Sequence, residues 1–424
     1  MTRLAVMDTL DWDVFVERYW DRQPVLVTSP GAAPFEETEI FHAAVAGTVP
    51  PASRYLPANA QFTVGREQQT EPGGLLPEAA DGSLDGYAKR LAQRLDGRRY
   101  ALVVHVLHAF HEPQWRRERA FFSGLWERVG LPLTGAITTL FHGSYEHSPV
   151  GVHKDRFATF MYGLSGHKRM RFWAERPWSE PVSSVLDYQG MLAGSFTADV
   201  APGQLLYWPD SYFHVGESAL SDRPATSVNV GVPRGGHRAS YDVHDLLYDS
   251  SPESLVTGEG DPALLPPVAE GLLVPPGDAP AALPGDLPEA LGGALRSFRD
   301  RGTADRVADR AAVLSLKRWT GGGFLPAPPP APAVELAEGD TVRAAGPIRW
   351  ARASDGVLCA ANGHVARSPL PPDRLVALLD ALTAGAAVTV GDLCAGEPGL
   401  RAEARRLLTT LESFRALIRT APLR

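Results

Sequence analysis

The stretch HKDRFATFMYGLSGHKRMRFW, residues 153–173, decides the fold. Of twelve histidines in 424 residues, His153 alone is followed two places later by a carboxylate, Asp155. The run Phe157–Leu164 behind it is aromatic and apolar and reads as a strand. Residues i and i+2 of a strand share a face, so an imidazole and a carboxylate would converge on one point. A third donor stands 61 residues further on, in Phe213-His214-Val215, past the strand-like run Gln204–Trp208 and a turn at Pro209-Asp210. Two histidines and one carboxylate on one face are the donor set of non-haem Fe(II), with positions left open for other ligands. Taken singly, either histidine would be an ordinary surface residue and Asp155 a turn residue. Lys168 shifts that balance. It opens the next strand, fifteen positions after His153. On a neighbouring strand its ammonium would point into the same barrel and neutralise the distal carboxylate of a dicarboxylic cosubstrate. An inward lysine without an anion is costly. The alternative places it in a solvated basic run, His167-Lys168-Arg169.

Outward from this stretch, further short β-rich runs occur at Tyr100–Val106, Ala136–Phe141, Arg169–Trp173 and Ser227–Val232. Turn residues separate them, among them Gly143, Gly151, Pro202-Gly203 and Pro233. Closely spaced short strands predict a β barrel or sandwich. Helices are predicted before it, over Trp12–Trp20 with Asp11 as N-cap and over residues 84–96, where Leu84, Tyr87, Leu91 and Leu95 recur at helical spacing. In Tyr100–His111, alternation sends His105 and His111 to one face and His108 to the other, and all three read as core or rim rather than metal ligands. Beyond residue 250 the texture changes. Residues 262–288 hold eight prolines and PAPPPAP (326–332) is a second cluster, so both read as linkers or extended loops. The C-terminal part opens on a hairpin, VLCAANGHVAR (357–367), turned at Asn362-Gly363. A helix is predicted to about Thr383 with Gly385 as its stop, and a longer one over Arg401–Thr420, striped by Ala404, Leu407, Leu408, Leu411, Phe414 and Ile418.

The 153–173 stretch resembles the core of JmjC-type, cupin-like Fe(II)/2-oxoglutarate oxygenases, with His-x-Asp, then Gly-x-Lys and an aromatic strand. GQLLYWPDSYFHVGES (203–218) resembles that family's later histidine segment, and TSVNVGVP (226–233) its closing strand. The resemblance covers about residues 100–235. YWDRQPVLV (19–27) is similar to the start of the ribosomal oxygenase branch, in which a dimerisation region and a winged-helix domain follow the barrel. The resemblance implies a mainly β chain with α: a double-stranded β-helix with N-terminal helices over 1–250, a proline-rich linker and short helical, dimerising region over 251–334, and a winged-helix-like domain over 335–424. It implies His153, Asp155 and His214 as iron ligands and catalytic centre, and Lys168 as partner of the 2-oxoglutarate carboxylate. Thr159 and Asn229 match positions that flank the cosubstrate. Thr159 also shares inward parity with His153 and Asp155, and Asn229 sits mid-strand between valines, where an inward amide needs a partner.

Composition narrows the function. Net charge is −8, against a general nucleic-acid binder. Two cysteines, Cys359 and Cys394, support neither a disulfide framework nor a cysteine zinc site. No window approaches ~18 uninterrupted apolar residues, and the N-terminus lacks a signal-peptide core, so a cytoplasmic chain without membrane contact is expected. The expected activity is hydroxylation of a side chain in a peptide or protein, using Fe(II), 2-oxoglutarate and O2. The substrate would be a ribosomal protein or a biosynthetic precursor peptide, and a homodimer is an expected assembly. Demethylation is open to the same chemistry. The alternatives are a hydroxylase of a free amino acid or small molecule, and a non-catalytic cupin-like binding protein. Tyr145, Trp173, Trp178, Trp208 and Tyr212 are aromatic candidates for a substrate groove, though packing is their commoner use.

Overall fold

The computed structural model describes residues 4–48, 58–145, 148, 150–217, 223–236, 238–247, 299, 304–368 and 370–420. The expected linker at 262–288 and most of the expected dimerising region lie outside these residues. The chain divides into two compact units, Met1–Gly236 with Gly322–Pro328, and His237–Gly321 with Pro329–Arg424.

The first unit is mixed α/β with large, mostly antiparallel sheets. Its strands are Ala5–Thr9 (β1), Val25–Ser29 (β2), Ala60–Val64 (β3), Glu67–Gln68 (β4), Tyr100–Val104 (β5), Ile137–Gly143 (β6), Phe157–Ser165 (β7), Lys168–Trp173 (β8), Phe196–Val200 (β9), Leu205–Trp208 (β10), Phe213–Glu217 (β11) and Ala225–Pro233 (β12). Nine form one sheet, in the order β1-β2-β10-β7-β12-β6-β5-β3-β4, and three form a second, β11-β8-β9. Among these strands the β1–β2 pairing is parallel and the others are antiparallel. Strand β7 is apolar on both faces because both are covered. Ala158, Phe160 and Tyr162 enter the main core, while Thr159 and Met161 face the cavity described below. On the core side Phe160 lies 4.9 Å from Tyr207, 5.3 Å from Phe122 and 5.4 Å from Phe15, mostly in tilted or edge-on geometry. Those rings come from β10 and from the first and last of the helices Trp12–Arg18 (α1), Glu37–Thr48 (α2), Leu84–Arg94 (α3) and Glu112–Val129 (α4). Asp11 caps α1, accepting the Asp13 and Val14 N–H groups at 2.8 and 3.1 Å.

Some boundaries differ from expectation. Pro233 ends β12 rather than making a turn; it is paired with Phe157 at the last register position, where a missing N–H is tolerated. The sequence reading passed over helices α2 and α4 and strands β1, β3, β9 and β11. Segment Gly322–Pro328 packs in the first unit: Phe324 is fully buried, Ala136 N–H donates to Gly323 O at 2.7 Å, and Trp115 Nε1–H to Phe324 O at 3.1 Å.

In the second unit the hairpin Gly356–Ala361/His364–Ser368 forms as expected, with Asn362 and Gly363 at φ +51° and +81°. Helix Pro372–Thr383 stops before Gly385 at φ +90°. The last helix needs correction. It spans Pro398–Ser413, not Arg401–Thr420, and Leu417–Thr420 is a strand paired with Thr341–Ala344. Arg415 turns the chain at φ +54°, and Ala416 N–H returns to Leu411 O at 2.9 Å. Ala404, Leu407, Leu408 and Leu411 keep their buried stripe, while Ile418 belongs to the strand.

Candidate metal centre

His153 approaches its partner through the backbone. An isolated antiparallel bridge joins it to His214: His153 N–H donates to His214 O at 3.1 Å, and His214 N–H to His153 O at 2.8 Å. The two rings stand 4.5 Å apart. Asp155 lies in the irregular link just before β7, so the parity of a regular strand is not what brings it in. Instead it bends back between the imidazoles, with Oδ1 3.4 Å from His153 Nε2 and Oδ2 3.4 Å from His214 Nε2. The three potential donor atoms lie within 4.8 Å of one another.

The far ring nitrogens fix which atoms face inward. His153 Nδ1 sits 3.0 Å from Gly151 O and His214 Nδ1 3.3 Å from Tyr212 O. A carbonyl only accepts, so each Nδ1 carries the proton and each Nε2 keeps its lone pair for a metal. When a second proton sits on Nε2 the imidazoles donate to Asp155: burial would raise the Asp155 pKa, but these protonated rings hold it well below the ordinary carboxylate value. Burial lowers His214, while at His153 the bond that its doubly protonated form makes to Asp155 overcomes burial and raises it. A negative oxygen between two neutral Nε2 atoms suits a divalent cation of borderline hardness. Gly151, at φ +72°, makes this approach feasible, since a Cβ there would stand 2.3 Å from Val185 O.

Lys168 is 5% exposed and lines the same cavity, so it does not belong to a solvated run. Its neighbour Arg169 points out and pairs with Asp199 at 2.6 Å. Lys168 Nζ lies 4.3 Å from the Tyr145 ring and 5.4 Å from Phe141. Among the described residues no carboxylate reaches it, and burial pushes its pKa down to about 7. Gly216 of β11 makes room, as a Cβ there would meet Lys168 Cε at 3.1 Å.

The cavity measures about 340 Å³ and also takes in Thr159 and Asn229. Thr159 is 4% exposed, and Asn229 Oδ1 is buried with no hydrogen-bond partner among the described residues. Tyr145 and Trp208 line it, and the Tyr145 hydroxyl is likewise buried without a partner among the described residues. Trp173, Trp178 and Tyr212 pack elsewhere. The three-histidine series separates, though not by alternation: β5 ends at Val104, and Val106 turns the chain at φ +58°. His105 lines the cavity, His108 is fully buried and accepts Thr138 N–H, and His111 faces Glu39 at 3.6 Å. Sequence reading missed the wall formed by Gln61, Val103, Ile137, Thr139 and Phe141. The signal was available in β6, whose period-2 set 137, 139 and 141 lies on one face.

Among the described residues no helix is long and apolar enough to cross a membrane. No family model matches the chain, and no curated protein matches it. Among solved structures, Escherichia coli YcfD is 17% identical, with 98% of this chain and 99% of that chain covered, at a TM-score of 0.45. A structure described as YcfD, a ribosomal oxygenase from Escherichia coli, in complex with cobalt and 2-oxoglutarate is 17% identical, covers 97% and 99%, and has a TM-score of 0.44. Oxalate decarboxylase from Bacillus subtilis is 16% identical over 24% of this chain and 22% of its own, at a TM-score of 0.18.

Proposed function

We propose that the chain is an Fe(II)/2-oxoglutarate-dependent oxygenase of the JmjC-type, cupin-like kind, its first unit a double-stranded β-helix, hydroxylating a side chain of a peptide or protein. One observation carries the reading: a His-Asp-His cluster and a buried lysine with no carboxylate of its own share one cavity. His153, Asp155 and His214 would hold the metal, which when bound with 2-oxoglutarate and O2 supplies the oxidation of a substrate C–H bond. The protein's part is placement. Gly151 O and Tyr212 O fix the ring tautomers. Lys168, lying over the Tyr145 ring, receives the distal carboxylate, and Thr159 and Asn229 flank the cosubstrate. The surrounding Met161, Met170 and Trp208 keep the site dry.

A polypeptide substrate is favoured by the mouth. Val150 lines the cavity and is 47% exposed, and Leu186, 48% exposed, lies beside Gly151, so an apolar lip continues from the site to the surface. We further infer a winged-helix-like C-terminal module, supported by the Asn362-Gly363 hairpin and two following helices, and a homodimer as the assembly. The test is Asp155→Ala. The wild type should bind Mn(II), bind 2-oxoglutarate only with metal present, and convert it to succinate with Fe(II). The variant should lose metal binding and succinate formation. Undiminished 2-oxoglutarate turnover in Asp155→Ala would sink the iron assignment.

A further inference from the structure

The cavity has a polar wall that neither the metal nor the cosubstrate uses. In the large sheet β7, β12, β6, β5 and β3 lie side by side, and the cavity runs across them. His153 and Asp155 sit where the chain enters β7, with His214 bridged to His153 from β11, and His105 sits just past the end of β5. Along β6 the cavity-facing residues are Phe141, Thr139 and Ile137. Phe141 belongs with Lys168, at 5.4 Å. Thr139, one side-chain step away, belongs with His105, whose Nδ1 lies 3.2 Å from Thr139 Oγ1. His105 therefore stands apart from the lysine, across the sheet from the metal ligands. The charge on Asp155 is felt there, yet no salt-bridge contact joins the two.

His105 is held firmly. Its N–H donates to Asn59 O at 2.8 Å, and its carbonyl accepts from Asn59 Nδ2 at 3.5 Å. With Nδ1 engaged by Thr139, Nε2 has no hydrogen-bond partner among the described residues. Burial lowers its pKa, so the ring faces the cavity uncharged. The Thr139 hydroxyl both donates and accepts, so Nε2 is free to do either. Among the described residues the cavity wall has one carboxylate, Asp155, and it is taken up by the two ligand histidines. A cationic substrate group reaching this wall would lose its water and find no counter-charge.

We propose that His105, held by Thr139, selects the reacting side chain of the substrate, admitting an uncharged hydrogen-bonding group such as a carboxamide or imidazole and rejecting an ammonium or guanidinium. This rests on the oxygenase reading above. The test is peptide binding to the full chain loaded with Mn(II) and 2-oxoglutarate without oxygen, read by fluorescence polarisation. The probes are peptide pools with randomised flanks and a fixed central Asn, Gln, His, Lys, Arg or Ala. One of the Asn, Gln or His pools should bind at least about tenfold more tightly than the Lys, Arg and Ala pools, as buried hydrogen-bond matching requires. His105→Phe should abolish that preference, His105→Gln should retain part of it, and both should bind Mn(II) and 2-oxoglutarate as the wild type does. Preference for Lys or Arg, no preference over Ala, or an unchanged preference in His105→Phe overturns the proposal. Failure of the wild type to bind Mn(II) and 2-oxoglutarate would instead overturn the oxygenase reading on which it stands.

Discussion

Replacing Lys168 by Met should stabilise the protein while removing its affinity for 2-oxoglutarate. Lys168 is 5% exposed, and burial brings its pKa from 10.5 to about 7. At ~1.4 kcal/mol per pH unit that difference amounts to about 5 kcal/mol, and the part felt at pH 7, where the folded group is half protonated, is a penalty on the order of 4 kcal/mol. Stacking of the ammonium on Tyr145 at 4.3 Å returns about 2 kcal/mol. Desolvation wins, and a methionine would keep the packing on Phe141, Tyr145 and Met170. A net gain of about 2 kcal/mol is expected at pH 7. The sign with pH follows from proton counts. Between pH 7 and 10.5 the unfolded chain holds a proton on this lysine that the folded chain has released, so wild-type stability rises with pH across that window. The variant lacks this rise, and its advantage shrinks from pH 7 to pH 9. Urea unfolding at both pH values measures the stability difference. Titration of the Mn(II)-loaded proteins with 2-oxoglutarate measures the loss of binding, expected at about 2–5 kcal/mol. A Lys168→Met protein less stable than wild type, with the same pH slope, would refute the buried, unpaired lysine.

The other expectations concern the triad. Metal binding requires neutral imidazoles, and the His153 pKa is raised above its ordinary 6.5 by Asp155. Mn(II) affinity, followed by electron paramagnetic resonance, should therefore begin to fall already above pH 6.5 as acid is added; an affinity constant down to pH 5 would contradict the coupling. Gly151→Ala places a methyl group 2.3 Å from Val185 O at φ +72°, so the segment carrying His153 must shift. The variant should lose at least tenfold in Mn(II) affinity and about 1–3 kcal/mol of stability, and calorimetry that finds both unchanged would show that the close approach is not needed.

Legibility in the sequence followed chemistry more than geometry. His153, Asp155, His214 and Lys168 were found because few residue types serve these roles and the strands near them are strongly apolar. The geometric reason first offered was incomplete, however. Parity on a strand was expected to join His153 to Asp155, whereas a two-way backbone bridge to His214 and an irregular link before β7 do so. Such a bridge joins residues 61 apart and leaves no local periodicity. Helix α4 escaped notice for another reason. Its seven Glu and Arg residues dilute a stripe, Trp115, Glu118, Phe122, Leu125 and Trp126, in which one buried member is itself a carboxyl. Glu118 is fully buried, pushed up to about 8 by burial and bonded by Thr138 and Gln114, so helical periodicity counted over apolar residues alone breaks there. The C-terminal helix was overextended because Phe414 and Ile418 continue a spacing of three or four, while the turn that ends the helix rests on Arg415 at positive φ, a conformation no arginine announces. The same limit hid His105. Its chain neighbours give it no site, and only the pairing of β5 with β6 puts its ring beside Thr139 and opposite the metal ligands. The residues that hold a metal can thus be read from type and spacing, whereas those that face a substrate depend on register, and they become visible when the sheet is closed around them.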